Sequence, residues 1–265
     1  MSQQPEGVGK IALFEVVDDH IAVITLNRPE VRNAMSPELS EAVEYLVKKV
    51  EADDQLWVGI LTSSNDRVFC AGADLSAIAN GQGFRIATAD GGFGGFVDAK
   101  RKKPWIAAVR GFALAGGCEL TLACDMIVAS DDAKFGLPEV KRGLFAGAGG
   151  VHRIARVLPR NIALELVATG EQLDVKRAYD FGMVNRVVPS DKVLETALDL
   201  ARSITVNAPV SVRESMIVAR QSSDLPDAAL RSLSKEHSQI VSQTEDSKEG
   251  PRAFLEKRPA QWKGR

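Results

Sequence analysis

Glu119 and Glu139 stand twenty positions apart in surroundings that give a merely structural charge little to do. Glu119 lies in Gly116-Gly117-Cys118-Glu119-Leu120-Thr121-Leu122-Ala123-Cys124, apolar or small on every side. Glu139 follows Pro138 in Phe135-Gly136-Leu137-Pro138-Glu139-Val140. The first stretch reads as a buried helix. An ionised carboxylate buried without a partner costs several kcal/mol, so both positions need a reason. Either each is satisfied by an arginine or a backbone N–H, or the pair is kept for moving protons. The backbone beside them favours the second reading. Phe69-Cys70-Ala71-Gly72-Ala73-Asp74-Leu75 and Ala115-Gly116-Gly117-Cys118 both place small residues where the chain turns into a helix. A helix start offers unpaired N–H groups and the positive end of its dipole, and small side chains let a ligand approach them. Two such N–H groups converging on one point would form an oxyanion hole.

The elements that must position these groups read as follows. Ile11–Val17 and Ile21–Leu26 are β-rich runs joined by Asp18-Asp19-His20, a hairpin pattern. Ser36-Pro37 supplies an N-cap and a first-turn proline, and Leu39, Val43, Leu46, Val47 and Val50 follow at helical spacing. With a strand at Trp57–Thr62, residues 21–62 form a strand–helix–strand unit that favours a parallel crossover. Trp105–Val109, a helix over 116–124 and Met126–Ala129 repeat it. Glycine-rich 80–95 reads as a mobile loop. Beyond residue 160 helices are predicted near 160–169, 174–181, 190–205, 209–221, 226–242 and 247–257, with Asp174 and Ser190 as starts and Gly170 and Gly182 as stops. The division is an α/β core over 1–200 and a helical C-terminal region over 201–265.

The order and spacing of several segments resemble the crotonase (enoyl-CoA hydratase/isomerase) superfamily, most closely an enoyl-CoA hydratase. They are Asn27-Arg28-Pro29-Glu30-Val31-Arg32-Asn33-Ala34, the 69–75 turn, Lys103-Pro104-Trp105-Ile106-Ala107-Ala108-Val109, Gly111 to Leu120, Cys124-Asp125, Phe135 to Glu139, and Gly147-Ala148-Gly149-Gly150. The resemblance implies an α/β fold, a crotonase-like spiral of ββα units with a C-terminal helical trimerisation region. It implies oxyanion-hole N–H groups on Ala73 and Gly116, and an acid–base pair in Glu119, assigned to water activation, and Glu139, assigned to proton transfer. Isomerases of this family often keep only the residue matching Glu139, so the presence of both favours water addition. Arg32, Ala71, Ala73, Asp74, Leu75 and Gly116 are implied contacts of the CoA thioester. Phe254 and Lys257 match a pair that reaches CoA held by a neighbouring subunit. The implied assembly is a homotrimer or dimer of trimers, and no cofactor is implied beyond the CoA carried by the substrate.

Three departures flank the expected acyl pocket: Arg110 where relatives carry a small polar residue, Phe145-Ala146 in place of an Ile-Pro pair, and the 81–95 loop. They leave open the chain length and the acyl group preferred; the alternatives are a specialised dehydratase of carnitinyl-CoA type, an enoyl-CoA isomerase, or a protein that binds CoA thioesters or RNA without turnover. Other function classes find little support. Charged residues are 26%, hydrophobic ones 45% and the net charge is −2, which gives no general attraction to nucleic acid or anionic membrane. The basic cluster Lys100-Arg101-Lys102-Lys103 reads as a solvated loop. No apolar run approaches the ~18 residues of a transmembrane helix, and residues 1–10 show no targeting pattern. Cys70, Cys118 and Cys124 read as reduced core thiols, which suits a cytoplasmic protein. His20, His152 and His237 lack metal-ligand spacing, and His152 interrupts the dinucleotide-like Gly147–Gly150 run.

Overall fold

The structure, a computed structural model, describes residues 4–265. β1 (Ala12–Val17) and β2 (Ile21–Leu26) form the expected antiparallel hairpin. Asp18 and Asp19 close it with φ of 50° and 62°, the left-handed pair that a tight hairpin turn requires. The Ser36 hydroxyl accepts the Leu39 N–H at 3.3 Å and so caps α1 (Pro37–Ala52). Its spaced apolar residues, Leu39 to Val50, are the buried face. α1 carries the chain over to β3 (Val58–Ser63), parallel to β2. β4 (Val68–Cys70) leads to α2 (Leu75–Ala79), then β5 (Ala87–Thr88) and β6 (Gly92–Phe93) make a small ladder. β7 (Trp105–Val109) joins β3, and β8 (Phe112–Leu114) runs into α3 (Gly116–Ala123). β9 (Met126–Ser130) lies parallel to β7, followed by β10 (Lys134–Gly136).

The strands form a six-stranded sheet, β1-β2-β3-β7-β9-β12, and a second sheet, β11-β10-β8-β4. Between β10 and the end of the sheets lie α4 (Gly150–Val157), α5 (Arg160–Thr169), β11 (Gln172–Asp174), α6 (Val175–Asp180) and β12 (Arg186–Val188). α3 leaves a strand of the second sheet and returns the chain to a strand of the first, so it bridges the two. The family resemblance implies a second sheet, but its strands carry no signal of their own, because at three residues each they are too short for a period-two pattern. The first sheet is buried on both faces. Ala22, Ile24 and Leu26 face the main core, while Ile21 and Val23 pack with Val58, Ile60, Ile106 and Val128 beneath α7 (Val193–Thr205). α8 (Pro209–Arg220), α9 (Asp227–Ser242) and α10 (Asp246–Glu256) complete the chain.

The helical pattern after residue 160 matches the expectation, including the stops at Gly170 (φ 64°) and Gly182 (φ 80°) and the Asp174 cap of α6, which accepts the Arg177 N–H. Ser190 does not start α7. It opens a short 3-10 turn, Ser190–Lys192, and α7 begins at Val193. Position 200 falls inside α7, whose buried residues Val193, Ala197 and Ala201 span it. The 80–95 segment contains a 3-10 turn at Gly83–Ile86, the β5–β6 ladder and buried Gly94 and Gly95, while most of residues 80–90 are exposed. One further expectation is corrected. The basic cluster is not simply a solvated loop. Lys103 is buried, and its Nζ donates to Val50 O and Asp53 O at 2.6 Å, capping the carbonyls at the end of α1. Arg101 stacks over the Phe96 ring at 3.8 Å and donates to Ala123 O.

Candidate active site

The two small-residue turns meet. Gly72 has φ 98°, and a Cβ there would stand 2.9 Å from Ala115 Cβ and 3.1 Å from Gly116 N, so only glycine permits the approach. Ala73 forms a parallel bridge to Met35: Met35 N–H donates to Gly72 O at 2.8 Å and Asp74 N–H donates to Met35 O at 2.9 Å. Bonds through its two neighbours turn the Ala73 N–H away from Met35. Across the gap, Ala115 adopts φ 52°, ψ −128°, an uncommon conformation for a residue with a side chain, and sets the direction in which α3 begins. Among the described residues, neither the Ala73 nor the Gly116 N–H donates to a backbone acceptor. α3 is held against β4 by Gly117, where a Cβ would fall 2.0 Å from Cys70 O.

Glu119 follows one turn after Gly116 and is 3% exposed. Its Oε1 accepts the Gly150 N–H at 2.9 Å, at the start of α4. Burial raises its pKa to about 7, and the charge of Glu139 pushes the same way. The N–H groups of Gly150 and Ala148 and the Arg153 guanidinium pull it back. Glycine at 150 leaves room for this carboxylate, because a Cβ would meet Leu137 Cδ2 at 2.8 Å and Glu119 Oε1 at 3.0 Å. Glu139 sits in the 3-10 turn Pro138–Arg142 after β10 and is half-buried. Its Oε2 is buried with no hydrogen-bond partner, and burial raises its pKa as well. Arg153 does not form an ion pair with either glutamate. Its Nη1 donates to Ala148 O and its Nη2 to Val97 O, both at 2.9 Å, so it braces the turn that holds Glu119.

Around this centre, Arg32 is exposed in a left-handed conformation (φ 56°), and its carbonyl accepts the Ala71 N–H at 3.1 Å. That contact brings Arg32, Ala71 and Ala73 onto one edge. The Asp74 carboxylate is engaged within the chain. It pairs with Arg28 Nη1 at 3.0 Å and accepts the Ser76 N–H to cap α2. Leu75 opens α2 and is exposed. Phe254, 83% exposed, and Lys257, in a left-handed conformation, belong to the end of α10. Sequence reasoning missed the part played by Ala148 and Gly150. The Gly147–Gly150 run carries the family resemblance and a weak dinucleotide-like pattern in the sequence, but not its role here: Gly149 (φ 99°) followed by helix is a donor-rich helix start. It also missed Arg153 and Phe93. A Cβ on Gly116 would fall 2.2 Å from Phe93 Cζ, so the Phe93 ring stands against the first residue of α3. No group of three or more His, Cys, Asp or Glu suited to a metal ion occurs among the described residues. The arrangement can place two N–H donors against a developing oxyanion and two proton-exchanging carboxyls beside it.

Spiral α/β architecture, bridging helix and paired glutamates together define the class. A family profile described as Enoyl-CoA hydratase/isomerase matches residues 17–265, and the chain belongs to that family, the crotonases. It is 38% identical over 250 residues to carnitinyl-CoA dehydratase of Citrobacter koseri, covering 92% of this chain and 95% of that protein. Among solved structures it resembles the enoyl-CoA hydratase of Mycobacterium tuberculosis H37Rv, with a TM-score of 0.92, 39% identity and coverage of 96% and 99% of the two chains. It also resembles carnitinyl-CoA hydratase of Mycobacterium avium, with a TM-score of 0.77 and 43% identity over the full length of both.

Proposed function

We propose that the protein is a hydro-lyase that adds water reversibly across the α,β double bond of an enoyl-CoA thioester. The observation that carries this reading is the buried Glu119 and half-buried Glu139, both with raised pKa values, beside the two unspent N–H groups of Ala73 and Gly116. The thioester oxygen accepts from those N–H groups, which stabilise the enolate-like charge as water attacks the β-carbon. Glu119, with a pKa near 7, is ionised in a large fraction of molecules at neutral pH and takes the proton from water. Glu139, whose burial and unpartnered Oε2 favour its protonated form, gives a proton to the α-carbon. The Gly150 N–H fixes the Glu119 carboxylate while this happens. CoA is part of the substrate, and the chain's own groups supply the acid, the base and the oxyanion donors.

Arg32, Ala71, Asp74 and Leu75 follow the bound thioester along the β4–α2 edge, Asp74 through its backbone because its carboxylate is committed to Arg28. Phe254 and Lys257 reach the CoA of a neighbour in a homotrimer or dimer of trimers, which explains why Phe254 and Leu255 are 83% and 80% exposed in the single chain. No helix among the described residues is long and apolar enough to cross a membrane, and the reduced thiols suit a cytoplasmic setting. The relatives at 38% and 43% identity support a second reading, dehydration of a carnitinyl-type thioester by the same residues run in reverse. Loss of enoyl-thioester absorbance with crotonyl-CoA tests the proposal. Full activity in both Glu119→Gln and Glu139→Gln would refute it, and light scattering showing a monomer at micromolar concentration would refute the assembly.

A further inference from the structure

We propose that Phe93 sets the acyl specificity of this site, forming a wall that favours short enoyl groups over long ones; this rests on the enoyl-thioester reading above. The 91–95 segment is shaped to deliver one ring to one place. Gly91 N–H donates to Glu44 Oε2 at 3.1 Å and to Thr88 Oγ1 at 3.2 Å, and Gly94 N–H donates to Ile86 O at 3.0 Å. Gly95 is pressed against α1, where a Cβ would fall 2.1 Å from Ser40 O. Gly94 lies on α3 itself, its missing Cβ 3.1 Å from Leu120 Cδ2 and 3.2 Å from Met35 Cε. With its neighbour so placed, Phe93 has its ring directly against Gly116.

Helix geometry says what that ring borders. Successive residues of α3 are ~100° apart around the axis, so Gly116 and Leu120 share a face while Glu119 is turned ~60° to the other side of Gly116. The 91–95 segment covers the Gly116–Leu120 face, and α4 receives Glu119 on its own side. A thioester oxygen on the Gly116 N–H, with its double bond reaching toward Glu119, therefore has the Phe93 ring along its flank. Arg153 fixes the same boundary from below by bonding Val97 O. An apolar ring at this point closes space that a longer acyl chain would need, and replacing it with a smaller side chain opens that space.

The test is a chain-length series on the whole protein and on Phe93→Ala and Phe93→Leu, with thermal melts to verify folding. We expect the parent to hydrate crotonyl-CoA in preference to trans-2-decenoyl-CoA. The ratio of decenoyl to crotonyl kcat/KM should rise by about tenfold or more in Phe93→Ala, with Phe93→Leu between the two. An unchanged ratio in folded variants overturns the proposal. Binding of the unreactive butyryl-CoA and decanoyl-CoA, measured by calorimetry, separates this from the reaction itself. If the parent hydrates neither enoyl thioester yet binds butyryl-CoA in preference, and Phe93→Ala evens the two, the wall stands and the hydratase reading falls. A parent that binds and turns over both lengths equally overturns the wall alone, and one that binds neither overturns both.

Discussion

Replacing Glu119 by glutamine should abolish hydration and stabilise the protein, and the second effect can be worked out from the structure. Glu119 is 3% exposed and burial lifts its pKa from 4.5 to about 7. A carboxyl whose folded pKa lies above its unfolded value binds protons more tightly when folded. Its contribution is therefore neutral or favourable below about pH 4.5 and is lost as the pH rises to about 7. At about 1.4 kcal/mol per pH unit, that interval corresponds to about 3 kcal/mol of stability missing at pH 8. Glutamine keeps an oxygen that can accept the Gly150 N–H and carries no charge, but its amide donors are themselves buried. The expected gain at pH 8 is thus about 1–3 kcal/mol, and near pH 5 little or none. Urea unfolding of parent and Glu119→Gln at the two pH values measures the difference. A variant equally destabilised at both would refute the claim that desolvation dominates at this carboxyl. It would show instead that the carboxylate is held by its hydrogen bonds.

Other perturbations test the surrounding parts. Arg153→Met removes a positive charge that lowers the Glu119 pKa and loosens the Ala148 turn. The rising limb of the pH–kcat profile should move to higher pH and kcat at pH 7 should fall by roughly threefold to tenfold, with KM changed less. Gly150→Ala drives a methyl to within 3.0 Å of Glu119 Oε1, and a cost of about 1–3 kcal/mol in denaturant unfolding is expected together with loss of activity. Arg220→Ala breaks a clamp in which the guanidinium holds Asp125 at 2.7 and 2.8 Å and the carbonyls of Arg101 and Lys103 at 2.9 Å. It should cost about 2 kcal/mol and speed amide exchange in α8.

The long periodic elements were legible in the sequence because each carries its own signal. Ser36-Pro37 and the stripe from Leu39 to Val50 identify α1, and the all-apolar run around Ile106 and Ala108 identifies a strand buried on both faces. The strands of the second sheet were not legible from their own residues, since β4, β8, β10 and β11 hold three residues each and are fixed by partners far along the chain. In the site, Glu119 and Glu139 stand out because burial makes their charge anomalous, and Gly116 because a buried helix follows it. Ala148, Gly150 and Phe93 act through a backbone N–H or through a contact with a glycine, neither of which leaves a mark in residue type. Lys103 shows the converse: its charge resembled a solvated loop, whereas its ammonium ends on the carbonyls closing α1.

The glycines at 72, 116, 117 and 150 each touch a different neighbour around α3: Ala115, the Phe93 ring, Cys70 O and Glu119. A Cβ at Gly72 or Gly117 would press on backbone, one at Gly116 on the Phe93 ring and one at Gly150 on Leu137 and Glu119, so the proposed centre tolerates little change at these four positions. Phe93 is different, because its ring rests against a glycine while the backbone of its segment is secured at Gly91, Gly94 and Gly95. On the function and the Phe93 wall proposed above, the chain separates the chemistry, locked into an interdependent seam, from the choice of acyl group, carried by one exchangeable ring. A lineage built on this frame could acquire new substrates by single substitutions there without passing through an inactive intermediate.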